Sequence, residues 1–149
     1  GRVSIEKNIE AFLSLKLDYE HKKQVIGDGP LLETFKKKYP DVKFFGAKKN
    51  KELASFYANS DVFVFPSKTD TFGIVMIEAS ACGTPVAAYP VTGPIDYIKN
   101  SVTGYMDNDL AIAIDNCLTI DRVACSREAN KNSWKNATKT FLDNLIRVK

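Results

Sequence analysis

The sequence is poor in the residues that build metal and disulfide sites: it holds one histidine, His21, and three cysteines, Cys82, Cys117 and Cys125. The cysteines are odd in number, widely spaced and form no C-x-x-C pair, which argues against a disulfide framework or a zinc site and leaves small buried apolar residues as their expected role. His21 has no cysteine or histidine companion at ligand spacing and lies among Glu20, Lys22 and Lys23. It is expected to be neither a metal ligand nor a general base. No apolar run approaches the ~20 residues that cross a bilayer, and the first residues have neither signal-peptide nor transit-peptide character. A cytoplasmic address is therefore expected. Excess charge is also scarce, since 21 basic and 18 acidic residues leave a net charge of +3. That balance does not point to a nucleic-acid partner.

What is present suits one globular domain. Apolar residues make up 44% and charged residues 26% of the 149 positions, enough to bury a core, and two domains would each fall near the lower size limit. Residues 1–149 are read as a single domain without repeats or low-complexity linkers.

The apolar periodicity alternates between strand and helix. Glu6 to Leu15 reads as a helix, Gln24-Val25-Ile26 as a strand, and Gly27-Asp28-Gly29-Pro30 as a strand-to-helix turn with Pro30 at the first helical position. Leu31, Leu32 and Phe35 give the next helix a buried side, Lys36, Lys37 and Lys38 complement its carboxyl end, and Pro40 stops it. Val42 to Gly46 is a strand, Glu52 to Asn59 a helix, and Val62 to Pro66 a strand apolar on both faces, as a covered parallel strand requires. A helix from about Gly73 to Cys82, a strand at Pro85 to Ala88 and a short strand near Gly104-Tyr105-Met106 follow. The remainder is helical, with Ser133 as an N-cap and Trp134, Ala137, Phe141 and Leu145 as a stripe expected to pack on something. The fold class is α/β: a doubly wound, mostly parallel sheet with helices on both faces and a helical C-terminal tail. Gly1-Arg2 reads as the turn after a first strand, and that strand is not in the sequence.

Such sheets bind ligands beyond the carboxyl ends of their strands. There the segment Ser67 to Ala79 holds two carboxylates, Asp70 and Glu78, with seven residues between them. Asp70 falls on the loop, and the unpaired N–H groups of the helix that begins near Gly73 make a seat for phosphate. Glu78, five residues into that helix, lies about 7 to 8 Å below the opening at about 1.5 Å per residue. Ile74, Val75, Met76, Ile77 and Ala79 surround it, so the helix is read as buried, and a carboxylate there needs donors: ribose hydroxyls, a backbone amide or a lysine. For Asp70 the alternative is a helix-capping turn. Arg2 and Lys7 place two cations on the same edge, able to neutralise a diphosphate or to pair with Glu6. Lys48, Lys49 and Lys51 could face an anionic ligand or only solvent. Gly27-Asp28-Gly29 lacks the third glycine of a dinucleotide fingerprint, where Leu32 stands.

Together with Val25 to Pro30, Phe45-Gly46, Tyr57 to Ser67 and Gly83-Thr84-Pro85-Val86, these pieces make the chain resemble the C-terminal, donor-binding domain of the group 1, or family 4, glycosyltransferases of GT-B fold. The match runs from Gly1 to about Met106, and more loosely through the Trp134 helix. The resemblance implies retaining transfer of a hexose from a UDP- or GDP-sugar to a lipid, glycan or small-molecule acceptor, with no metal or other cofactor. By the same resemblance, Arg2, Lys7, Gly73, Ile74 and Val75 hold the donor diphosphate, and Asp70, Phe72 and Gly73 contact the donor sugar. Glu78 binds the ribose, Asp70 and Glu78 are the catalytic carboxylates, and the nucleobase lies near Ala47 and Lys48. Family members more commonly carry glutamate where Asp70 stands, and two glycines where this chain has Thr92-Gly93-Pro94.

The implied partner is an N-terminal acceptor domain of the same enzyme, through which the full-length protein could touch the inner face of a membrane peripherally. The chain alone is expected to bind nucleotide weakly and to transfer nothing. Two other readings stay open: a non-catalytic nucleotide-sugar binding or regulatory module, and a two-carboxylate glycosidase. Placement of Glu78 inside a buried helix argues against the glycosidase.

Overall fold

Strands and helices alternate along the chain in the computed structural model, which describes residues 1–17 and 22–145. His21 and Glu20 lie outside the described residues. β1 (Gln24–Val25) pairs with β2 (Lys43–Phe44), while β3 (Phe63–Phe65), β4 (Val86–Ala88) and β5 (Gly104–Met106) form a second sheet in that order. Every pairing is parallel. Parallel neighbours need crossovers, and helices provide them: α2 (Leu32–Lys38), α3 (Asn50–Ala58), α4 (Ile74–Ala81) and α5 (Pro94–Tyr97) each join one strand to the next. α1 (Ile9–Leu13) precedes β1, and α6 (Leu110–Cys117), α7 (Arg122–Ala129) and α8 (Trp134–Asp143) follow β5. The doubly wound α/β class and the helical tail are as expected, with the sheet in two pieces.

β4 shows why its sequence is apolar throughout. Val86 and Ala88 pack with Tyr57, Met76 and Tyr97 on one face, while Ala87 packs with Ala113, Ile114 and Cys117 on the other, and all three strand residues are fully buried. A third cluster, Val3, Leu13, Val25 and Phe35, joins α1 and α2 to the smaller sheet. Met76 is fully buried, a contribution of about 1.5–3 kcal/mol relative to exposure. The cysteines are free thiols, Cys117 and Cys125 buried and Cys82 partly so. Burial pushes the Cys117 thiol up to about 12, so it packs as a small hydrophobe.

α7 fastens the carboxyl ends of two other helices. Arg122 donates to Ser60 O at 2.6 Å and Ala58 O at 2.7 Å, where α3 runs out of intrahelical donors, and Ser126 Oγ donates to Ala81 O at 2.8 Å. Nearby, the buried Thr84 hydroxyl donates to Tyr57 O at 2.5 Å.

Two expectations are corrected. The helix read from Glu6 to Leu15 is instead a single 3-10 turn, Ile5–Lys7, followed by α1. The break is at Asn8, which takes a left-handed conformation with φ of 49° while its side-chain amide donates to Pro66 O at 3.0 Å. The stripe on α8 is not covered by the described chain: Phe141 is 67% and Leu145 57% exposed, and Ala137 is exposed as well. An amphipathic period specifies an apolar face, not what lies against it. Ser133 does cap α8, accepting from Asn136 N–H at 3.3 Å.

Among the described residues, no helix is long and apolar enough to cross a membrane.

Candidate functional site

The site is assembled where the first segment of the chain folds over the carboxyl end of β3. Besides the Asn8 amide on Pro66 O, the hydroxyls of Ser67 and Thr69 each donate to Glu6 O at 3.4 Å. These bonds bring Lys7 onto a loop 63 residues away, where its Nζ lies 2.5 Å from Asp70 Oδ1. Burial pushes the Asp70 carboxyl up, but hydrogen bonds from Lys7 and Ser67 and the Lys7 charge outweigh it, so its pKa lies below the usual value. Asp70 Oδ2 is buried without a hydrogen-bond partner among the described residues. Asp70 is thus an ion-pair partner of Lys7 rather than a cap of α4, which has no side-chain cap.

The α4 opening is shaped by Gly73. This residue is the N-cap with φ of 74°, and an added Cβ would lie 2.9 Å from Phe65 Cζ and 3.1 Å from Met76 Cε. Glycine is required on both grounds. The N–H groups of Ile74 and Val75 begin the helix beyond it and have no intrahelical acceptor by position. Phe72, 45% exposed, and Ile74, 56% exposed, stand at the mouth.

Glu78 is exposed, not buried as its neighbours suggested. α4 buries Met76, Ala79 and Ser80, whereas Ile74 and Glu78, four residues apart, share its open stripe. An apolar Ile74 on that stripe made the helix read as covered on all sides. The desolvation argument for a bound ribose therefore does not hold. Glu78 Oε2 instead accepts a long contact, 3.5 Å, from the hydroxyl of Tyr57, whose pKa is raised by burial first and by the Glu78 charge second.

Arg2 is exposed, its backbone bridged to Asp28, and it makes no ion pair among the described residues. Neither cation pairs with Glu6: Lys7 is on Asp70, and Glu6 accepts from Ser4 Oγ at 2.7 Å. Arg2, Lys7, Tyr57, Ser67 and Val75 line one cleft of about 630 Å³, and both Lys7 and Glu78 act electrostatically on the Gly1 ammonium beside it. Arg2 and Lys7 thus line one cleft with Val75 of α4, Asp70 lies on Lys7, and Glu78 is near enough to act on the Gly1 ammonium. Ala47 and Lys48 do not line this cleft; they follow β2, and Lys48 pairs with Glu52 at 2.5 Å. Sequence reasoning gave no role to Asn8, which sets the position of Lys7, or to Tyr57, which entered as the start of a segment that carries the resemblance. The sole signal for Asn8 was a turn-forming residue inside a helical pattern.

In a doubly wound α/β fold, cations and a helix N-terminus beyond the strand ends make an opening of the kind that can receive a phosphate. Residues 1–131 match the family model described as glycosyl transferases group 1, and the chain belongs to that family. It is 36% identical over 106 residues to a GDP-mannose-dependent alpha-mannosyltransferase of Corynebacterium glutamicum, a match covering 71% of this chain and 26% of that protein. It is 33% identical over 158 residues to the sulfoquinovosyl transferase SQD2 of Arabidopsis thaliana, covering 93% of this chain and 30% of that protein. The chain therefore spans less than a third of the length of either relative. Among solved structures, sucrose-phosphate synthase from Thermosynechococcus elongatus superposes with a TM-score of 0.80 at 25% identity, covering 96% of this chain and 42% of that one. Anabaena HepE in complex with UDP-glucose gives 0.73 at 21% identity, covering 97% and 47%, and shares the fold.

Proposed function

We propose that this chain is the donor-binding domain of a retaining glycosyltransferase that moves a hexose from a UDP- or GDP-sugar to a lipid, glycan or small-molecule acceptor. The observation that carries the reading is the Lys7–Asp70 pair beside the opening of α4, with Arg2 lining the same cleft as Lys7. A diphosphate seated there meets two cations and the helix N–H groups of Ile74 and Val75. All of these favour the charge that develops as the diphosphate departs, so no metal is needed for that task. Asp70, held ionised by Lys7, lies beside the donor sugar with Phe72 and Gly73 alongside; its second oxygen is buried in this structure, so a sugar hydroxyl reaches it only after the loop shifts. Glu78, positioned by Tyr57, grips the ribose, and the base extends toward Ala47 and Lys48. Names of relatives that specify GDP-mannose and a neighbour complexed with UDP-glucose support the donor class.

The acceptor and the remainder of the catalytic machinery come from an N-terminal domain of the same enzyme. The reaction is cytoplasmic, peripheral to the membrane's inner face where the acceptor is a lipid. In this reading the 149-residue chain binds nucleotide and transfers nothing by itself.

The test uses thermal shift with UDP, GDP, ADP and their sugar conjugates, followed by transfer assays on full-length Asp70→Asn. A UDP or GDP compound raises the melting temperature, because a ligand bound only to the native state stabilises it. Asp70→Asn loses transfer while keeping nucleotide binding. Undiminished turnover in that variant would assign the site to a binding module without chemistry, and no shift with any nucleotide would end the proposal.

A further inference from the structure

Thr92-Gly93-Pro94, where the chain departs from the two glycines common in the family, follows β4 and opens α5, and the proposed donor site makes no use of it. Gly93 takes φ of 93° and ψ of −72°, a conformation that residues with a Cβ rarely adopt. An added Cβ would lie 2.9 Å from Asp70 O and 3.4 Å from both the carbonyl carbon and the carbonyl oxygen of Thr71. All three atoms are backbone, so none can swing aside as the tip of a side chain does. The loop after β4 thus lies directly against the loop that carries Asp70.

A second contact joins the same two loops: Lys68 Nζ stands 4.2 Å from the centre of the Tyr89 ring, just past the end of β4. The two sides differ in stiffness. On the α5 side, Pro94 is fully buried, and Tyr97 and Ile98 belong to the core around Met76. The turn is closed by Ile95 N–H donating to Val91 O at 3.1 Å, Asp96 N–H to Gly93 O at 3.1 Å and Ile98 N–H to Pro94 O at 2.8 Å. The Asp96 carboxylate also accepts from Gly93 N–H at 3.3 Å. On the other side, Thr71 and Phe72 are exposed. Packed interiors yield less than exposed loops, so a larger residue at position 93 displaces the Asp70 loop and leaves α5 in place.

We infer that Gly93 is a positioning residue for the transfer reaction: on the reading that Asp70 contacts the donor sugar, it is the stop against which the loop rests and so sets where the carboxylate stands. Gly73 fixes the far end of the loop against Phe65 and Met76, and Gly93 bears on Asp70 and Thr71, so the segment from Asp70 to Phe72 is held at two points. The stop matters because Asp70 Oδ2 is buried without a partner among the described residues, and a sugar hydroxyl reaches it only when the loop shifts. A loop that moves and returns to a fixed backbone contact delivers the carboxylate to one place. A methyl group in that contact sends it to another, without touching the cations or the helix N–H groups that receive the diphosphate.

The test compares Gly93→Ala with the native protein in two settings. In the 149-residue chain, the amide resonances of Asp70, Thr71 and Phe72 move, and those of Tyr97 and Ile98 do not. In the full-length enzyme, kcat falls by about tenfold or more, as a misplacement on the order of 1 Å is enough to cause. Nucleotide affinity stays within about twofold of native, the split expected when only an interaction of the reacting sugar is disturbed. In an Asp70→Glu background, which carries the residue more common in the family, the same substitution costs less than about threefold, because the longer side chain makes up the displacement. Stationary loop amides, or an equal loss of kcat in both backgrounds, overturn the inference. Should Gly93→Ala fail to fold, Asp96→Ala takes its place, freeing the turn without adding an atom to the contact. It moves the same three amides, and amides that stay put overturn the inference. The two readings fail separately: full turnover in Asp70→Asn ends the donor-site reading whatever the loop amides do, whereas an unchanged kcat in Gly93→Ala beside an inactive Asp70→Asn ends this inference alone.

Discussion

Lys7 and Asp70 show how a solvent-edge ion pair is made worth keeping. Each is only partly exposed, and the bonds from Asn8, Ser67 and Thr69 have already fixed the two backbones before the side chains meet. Less side-chain entropy remains to be lost, but water still screens the pair, which limits it to about 1 kcal/mol or less. Its pH dependence follows from the lowered Asp70 pKa. A carboxylate whose folded value lies below its unfolded value of about 3.9 stabilises the fold above that value and stops doing so as pH falls through the folded one. Urea midpoints of the native chain are therefore expected to fall more steeply than those of Asp70→Asn as pH is lowered from about 4. Parallel curves would show that the pair contributes nothing. Both residues were identifiable in the sequence by type and motif, but their pairing was not, because no local spacing rule links positions 63 residues apart. Glu78 was identifiable for the opposite reason, as a charge among apolar neighbours, and that same contrast led to the wrong burial.

At the level of elements, strands and helices were legible wherever period and punctuation agreed. β5 is the Gly104–Met106 strand that was read, and α2 stops before Pro40 with its lysines in the last turn. Ends set by long-range bonds were not legible: the split at Asn8, and the fastening of α3 and α4 by Arg122 and Ser126, depend on residues far away in the chain. α4 combines both kinds of constraint, because Gly73 supplies the left-handed cap and also the space for Phe65 and Met76. Gly73→Ala is expected to cost about 1–3 kcal/mol through backbone strain, with the contact to Phe65 adding to it. Chemical denaturation measures the loss, and an unchanged midpoint would mean that the loop shifts without cost.

For the whole molecule, the division of the core matters most. Val3, Leu13, Val25 and Phe35 form a cluster around the smaller sheet, while the larger sheet is buried between two others. The fold class could be read from the sequence because alternating strands and helices leave few topologies. The open face of α8 could not, since what covers an apolar stripe is not written in its period. The site's chemistry, as proposed, rests on the helix opening and two cations, so the full-length enzyme is expected to keep its transfer rate after EDTA treatment and exhaustive dialysis. Loss of activity restored by a divalent ion would require a metal beside the diphosphate.

Tyr57 connects these scales. Its ring meets Phe63 edge-on in the interior, its carbonyl holds the Thr84 hydroxyl, and its own hydroxyl reaches Glu78. If Glu78 grips the donor as proposed, a change there for a different donor reaches the interior through this one phenol.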